Sequence, residues 1–121
     1  MKYLLLIYRD EQAYEGIDLG SYRDESVQLA HELNANGHYL AAAPLHPTTT
    51  ATSVKVRDGK RIVTDGPFAE TREQLGGYFL VEARGRDEAI AIAARIPGAR
   101  LGTVEVRPIL EIDGLPEDEP C

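Results

Sequence analysis

An α+β fold follows from three features of the 121-residue sequence. Lys2 to Tyr8 is an apolar run too short for a helix. Two stretches, after Ser21 and after Gly85, repeat apolar residues at helical spacing. Asp58-Gly59 joins two segments of alternating polarity. In chain order the elements read strand, helix, strand, hairpin, strand, helix, strand. With the hairpin set aside this is β-α-β-β-α-β, the ferredoxin-like split arrangement with both helices on one face of the sheet. The length suits one domain, residues 1–112, followed by an acidic, proline-rich tail, residues 113–121, that is expected to be mobile.

The first strand, KYLLLIY, is apolar at odd and even positions alike, so both of its faces call for burial. Arg9 to Gly20 is polar and reads as a loop. Ser21 is the expected N-cap of the first helix, with Asp24 and Glu25 in the first turn, where the helix dipole favours acids. The stripe Tyr22, Ser26, Leu29 and Leu33 follows, and Asn36-Gly37 ends the helix. His38 to Ala43 is a weaker strand, and the proline-punctuated run Pro44 to Thr50 leads to the hairpin. Thr52–Arg57 and Lys60–Thr64, joined by Asp58-Gly59, predict a type I′ turn. Leu75 to Ala83 is the next strand, in which Gly76-Gly77 marks a bulge or a close backbone approach. Gly85 or Asp87 opens the second helix, whose apolar face is Ala89, Ile92, Ala93 and Ile96; Pro97-Gly98 stops it. Thr103 to Leu110 is the last strand.

Two helices cover one face of a sheet. The first strand and Tyr78-Phe79-Leu80-Val81 are apolar on both, so the second face needs a cover of its own. A second copy related by two-fold symmetry supplies one, which predicts a homodimer; a hairpin folded over the face within one chain is the rival account. Thirteen Lys and Arg against twenty Asp and Glu leave a net charge of −7, which repels phosphate and argues against nucleic-acid binding. No run approaches the length of a membrane helix, and Met1 leads into the first strand without a basic leader, so a cytoplasmic location is expected. The three histidines, His31, His38 and His46, match no metal-ligand spacing, and the single cysteine is Cys121. Neither a metal nor another cofactor is therefore expected.

Asp65-Gly66-Pro67-Phe68-Ala69-Glu70-Thr71 is the segment richest in chemistry. As structure, it is a turn in which Asp65 accepts backbone N–H bonds, Gly66 is free in φ, Pro67 fixes φ and Phe68 plugs the core. As function, it sets two carboxylates, Asp65 and Glu70, on one constrained loop, and beside an apolar cavity Asp65 can act as a proton-transfer group. Ser26 falls on the sheet-facing stripe of the first helix, where its hydroxyl either bonds back to the carbonyl four residues earlier or points into a pocket. No nucleophile elbow surrounds it. His31 lies off that stripe and reads as solvated. His46 sits in a stiff loop between Pro44 and Pro47, where binding residues concentrate. Tyr8, Tyr78 and Arg107 are the groups that would position a substrate for Asp65.

The run Val63 to Ala83, with Asp65 to Thr71 at its centre, resembles the signature of the DGPF subgroup of the YCII-related family. The opening MKYLLLIY, Thr50 to Lys60, Asp87-Glu88-Ala89-Ile90, Ala94 to Pro97 and Val104 to Pro108 extend the resemblance over nearly the whole chain. It implies a dimeric α+β barrel, in which two ferredoxin-like sheets pack face to face, and a pocket between helix and sheet. Relatives of that fold include isomerases and monooxygenases of small aromatic molecules. Members of the subgroup occur beside extracytoplasmic-function sigma factors, which implies an accessory role. YCII-like proteins outside the subgroup carry a His on the first helix and an Asp before a Pro after the second, proposed as a catalytic pair. Those positions correspond to Ser26 and Ile96 here, so both groups are missing and Asp65 is the natural substitute. Three functions stand at this point: a cofactor-independent lyase, isomerase or oxygenase on a small, partly apolar molecule, a non-catalytic binder of such a molecule, or a protein-interaction module.

Overall fold

The structure is a computed structural model that describes residues 1–14, 18–69 and 71–116. Glu70 and the end of the acidic tail, residues 117–121, lie outside the described residues. Among the described residues, six strands and three α-helices form the mixed α+β fold that the sequence predicts. Strands β1 (Lys2–Arg9), β2 (Tyr39–Pro44), β5 (Gln74–Glu82) and β6 (Thr103–Pro108) make one antiparallel sheet in the order β2-β5-β1-β6. That is the ferredoxin-like order, with the first and third sheet strands at the centre and the other two at the edges. Strands β3 (Thr52–Arg57) and β4 (Lys60–Asp65) pair only with each other, as a separate hairpin. Its turn has φ 52° at Asp58 and 73° at Gly59, the two positive angles a type I′ turn requires. The hairpin is exposed along almost its whole length.

Helix α1 runs Leu19–Ala35, three residues earlier than Ser21 as N-cap would have it. The cap is Asp18, whose Oδ1 accepts the N–H groups of Gly20 at 3.1 Å and Ser21 at 3.4 Å. Two orphan donors are thereby satisfied before Ser21 is reached, so the helix can begin there. The predicted loop is correspondingly shorter and contains a tight helical turn at Glu11–Tyr14. At the other end, Gly37 takes φ 80°, the His38 N–H bonds the Leu33 carbonyl and the Gly37 N–H bonds that of Asn34. This is a Schellman stop, the role glycine fills best. Helix α2 (Arg86–Arg95) is capped by Gly85, and a one-turn helix α3 (Gly98–Leu101) follows Pro97 directly.

Both longer helices pack on one face of the sheet. Tyr3 and Leu5 of β1, Phe79 and Val81 of β5, Leu29 and Leu33 of α1, and Ala89, Ile92 and Ala93 of α2 are buried there, with Ile96 just beyond α2. The register sets Leu4 against Leu80, Leu6 against Tyr78 and Tyr8 against Leu75 in the alternate rows, which face away from the helices. The first strand is thus apolar on both faces, as its sequence indicates, and among the described residues no helix packs on its second face.

Two packing expectations at the end of the hairpin are corrected. Phe68 is 80% exposed, not a core plug; its ring lies 5.4 Å from the Lys55 ammonium. The Asp65 carboxylate accepts no hydrogen bond among the described residues. The turn is tied by backbone and hydroxyl instead, with the Gly66 N–H donating to the Ala51 carbonyl and the Ser53 hydroxyl to that of Gly66, both at 2.8 Å. Gly66, at φ 106°, is the residue the turn geometry demands.

Candidate functional site

Helix α1 fills the layer over the sheet along one stripe and leaves the flank beside that stripe open. Leu29 and Leu33 are buried against the sheet, whereas Ser26 and Ala30, on the adjoining flank, border open space. Beneath them the sheet carries the small residues Gly76, Gly77, Ala42 and Ala43 beside Phe79. The result is a cavity of about 560 Å³ between α1 and the β2–β5 side of the sheet.

The two glycines have separate reasons. A Cβ at Gly77 would lie 2.9 Å from the Ala43 carbonyl oxygen, because β2 approaches closely there. Gly76 is the extra residue where the β1–β5 register shifts between Ile7 and Tyr8, and a Cβ on it would lie 2.9 Å from Arg9 Nε. Bulge and close approach, the two readings of Gly-Gly in a strand, are both present.

Helix α3 closes one end of the cavity with Gly98 and Leu101. A Cβ at Gly98 would lie 2.6 Å from Ile7 Cγ2, and one at Gly102 would lie 2.1 Å from the Tyr8 carbonyl oxygen, so this turn rests directly on β1. Arg100 fastens it to α1 by a two-pronged contact to Glu25, at 3.0 and 2.6 Å, and its guanidinium lies 5.7 Å from the Tyr22 ring centre. The hydrogen bonds from Arg100 hold the Glu25 carboxyl below its ordinary value of 4.5, and the same contact raises Arg100.

Of the residues singled out in the sequence, Ser26 and Tyr78 line the cavity. The Ser26 hydroxyl donates to the Tyr22 carbonyl at 2.9 Å, one turn back along the helix. Tyr78 pairs with Leu6 in the row facing away from the helices and borders the cavity from its strand. Tyr8 and Arg107 are also in that outward row, with Arg107 3.8 Å from Glu105. His46 is exposed in the loop after β2. Asp65 ends β4 opposite Thr52. None of Tyr8, His46, Asp65, Phe68 and Arg107 borders the cavity, so the sequence-derived set is not gathered into one place. Ile96, by contrast, lines the cavity together with Ser26.

Sequence reasoning missed Arg9, Arg23, His31 and Asn34, which border the same space. His31 is exposed, as expected, and still stands at the mouth. The available signal was the pair Ser26 and Ala30: two small residues where a sheet-facing helix normally carries large ones. No helix among the described residues is long and apolar enough to cross a membrane. Among those residues no group of three or more His, Cys, Asp or Glu is disposed to hold a metal ion.

Comparison with known proteins agrees over most of the chain. Residues 1–113 match the YCII-related domain. An uncharacterized protein of Rhizobium meliloti (strain 1021) is 36% identical in a 118-residue alignment that covers 90% of this chain and 92% of that protein.

Proposed function

Since the chain belongs to the YCII-related family, we propose that it binds a small, partly apolar molecule in the cavity between α1 and the sheet. We further propose that it works as a two-fold dimer through its open sheet face. The DGPF branch of the family is our reading of the run Asp65 to Thr71. The observation that carries the binding function is the cavity itself: about 560 Å³, inside the range of roughly 300–1,000 Å³ usual for small-molecule sites, with an apolar floor and a few polar groups at its edge. Binding is favoured over proton-transfer chemistry by what stands at the two positions corresponding to the proposed catalytic pair. Both line the cavity, but Ser26 spends its proton on the Tyr22 carbonyl and Ile96 has none to give. Asp65, the carboxylate that would replace them, does not border the space.

An uncharged, fluorescent aromatic amine, N-phenylnaphthylamine, tests this directly. The protein should bind it, and Ala30→Phe, which fills the cavity from α1, should weaken binding at least about tenfold, the loss expected when an apolar site is occluded. Equal binding by wild type and Ala30→Phe would remove the cavity as the site.

The dimer rests on Leu4, Leu6, Tyr8, Tyr78 and Leu80, half-buried apolar side chains in the rows of β1 and β5 that face away from the helices. The hairpin pairs only with itself. Monomers seldom leave such a patch bare, and a second copy of the same sheet matches it by symmetry. Light scattering should give twice the chain mass of 13.3 kDa, and Leu6→Lys should return it to one chain mass. A wild-type protein that stays at one chain mass at high concentration would refute the dimer.

A further inference from the structure

We infer that the β3–β4 hairpin of one copy is the docking site for the C-terminal segment, residues 109–115, of a second copy. This inference rests on the dimer proposed above and names a further contact that holds it together. Its first support is the hairpin itself. Two strands alone are marginal in water and gain independent stability only when a face is packed. Strands β3 and β4 pair only with each other. Their register puts Val54, Val56 and Val63 on one face, with Val54 directly opposite Val63. All three are more than half exposed, at 60%, 62% and 55%. The other face carries Lys55, Arg57 and Lys60. An apolar face on a two-stranded unit calls for a cover, and its own chain leaves this one open.

The second support is a match of pattern and of sign. In Val54-Lys55-Val56-Arg57 apolar residues alternate with basic ones, and in Leu110-Glu111-Ile112-Asp113 they alternate with acidic ones. Leu110 and Ile112 are exposed as well. Thr52 to Asp65 holds four basic and two acidic residues, whereas the chain after Pro108 holds five acidic residues and no basic one. Opposite charge patterns of this kind select a partner and fix its register. The third support is where the two segments leave the sheet. The hairpin joins it through Pro44 and Gln74, at the Arg9 end of β1. Residues 109–115 leave from the Lys2 end, where the Ile109 N–H donates to the Lys2 carbonyl at 2.9 Å and Lys2 Nζ lies 3.8 Å from Glu111. The eight residues of β1 hold these two points about 25 Å apart in one chain. A two-fold axis that lies between two sheets and across their strands reverses the strand direction. It therefore sets the hairpin end of each copy against the C-terminal end of the other.

Full-length chains with a single cysteine, made in a Cys121→Ser background, test the contact. Chains carrying Val54→Cys are mixed with chains carrying Ile112→Cys, and the disulfide-linked pair is followed by mass under mild oxidation. It should form at least about tenfold faster than a control pair, Val54→Cys with Ile90→Cys on α2, because only residues held within disulfide reach link readily. Ile90 is exposed too, so access alone does not separate the two pairs. Raising the salt from about 0.05 M to about 1 M should cut that advantage at least about threefold by screening the opposite charges. A wild type that is dimeric by light scattering, with Val54→Cys and Ile112→Cys chains that link no faster than the control, would overturn the inference and leave the dimer through the sheet face standing. Faster linkage between two Val54→Cys chains than in the mixed pair would seat the hairpins on each other and overturn the C-terminal segment as occupant. An advantage unmoved by salt would overturn the charge match. A wild type that stays at one chain mass would take down the dimer together with the inference.

Discussion

The two halves of the layer between helices and sheet are built from the same elements and have opposite interiors. At one end Leu33 of α1 meets Val81 of β5 and Ile92 of α2, and all three are buried. At the other end, one to two turns back along the same helix, Ser26 and Ala30 look across to Gly77 and Ala42, and a cavity of about 560 Å³ remains. The difference lies in side-chain volume rather than in backbone architecture. One helix can therefore hold the fold together with the stripe that carries Leu29 and Leu33 and leave the flank that carries Ser26 and Ala30 to shape a site. Stability and binding are then separable by face of α1.

The largest effect that should separate them is Leu33→Ala. Leu33 is fully buried, and its truncation should cost about 2–5 kcal/mol in urea unfolding, the lost transfer energy plus the new void. Ala30→Phe at the hollow end, the variant that should weaken dye binding, fills space instead of creating it and should leave stability much nearer to wild type. If Leu33→Ala proved as mild as Ala30→Phe, the packed end would not be the anchor.

A smaller, pH-dependent effect belongs to the wall of the hollow end. Glu25 has its carboxyl lowered by the Arg100 hydrogen bonds, so protons bind it less readily folded than unfolded. Its contribution is complete above the ordinary value of 4.5 and is lost as pH falls through the lower, folded value. Dye binding by the wild type should weaken in that acid window as α3 loosens from α1, and Glu25→Gln should flatten that part of the pH profile. Both partners are about half exposed (side-chain exposure 53% for Arg100 and 47% for Glu25), so solvent screening keeps the effect modest. An unchanged acid limb in Glu25→Gln would detach this ion pair from the cavity.

The smallest effect should come from Asp65, on the hairpin and away from both ends. Its carboxylate is exposed and accepts no hydrogen bond among the described residues, so Asp65→Ala should change stability by no more than about 0.5 kcal/mol, as surface substitutions do. A loss above about 1 kcal/mol would restore the turn-fastening role that the sequence suggests for it, since that is the scale of a lost hydrogen bond.

Much of the fold was legible because its signals are local. The Asp58-Gly59 turn demands two positive φ angles, and few residue pairs accept them. The apolar face of α2 could be read at Ala89, Ile92, Ala93 and Ile96, since periodicity names a buried face without knowing what it meets. The helix start was misread because two capping residues, Asp18 and Ser21, compete within one turn, and sequence does not rank them. Phe68 was misplaced because an aromatic beside a turn has the same local pattern whether it enters a core or stands over a lysine.

The site was far less legible, and alanine shows why. Ala89 and Ala93 of α2 are buried in close packing, whereas Ala30 of α1 and Ala42 of β2 border empty space. A small side chain permits either outcome. Which occurs depends on what stands opposite, and that comes from segments far away in the chain: residues 26–30 of α1 over residues 76–77 of β5, beside residues 42–43 of β2. The sequence by itself determined the order of elements and their apolar faces, because both follow from periodicity within a few residues. Only the tertiary structure decided that small residues from three elements coincide, with Arg9 and Arg23 at the edge of the gap they leave, because a cavity is a property of neighbours and not of any one segment.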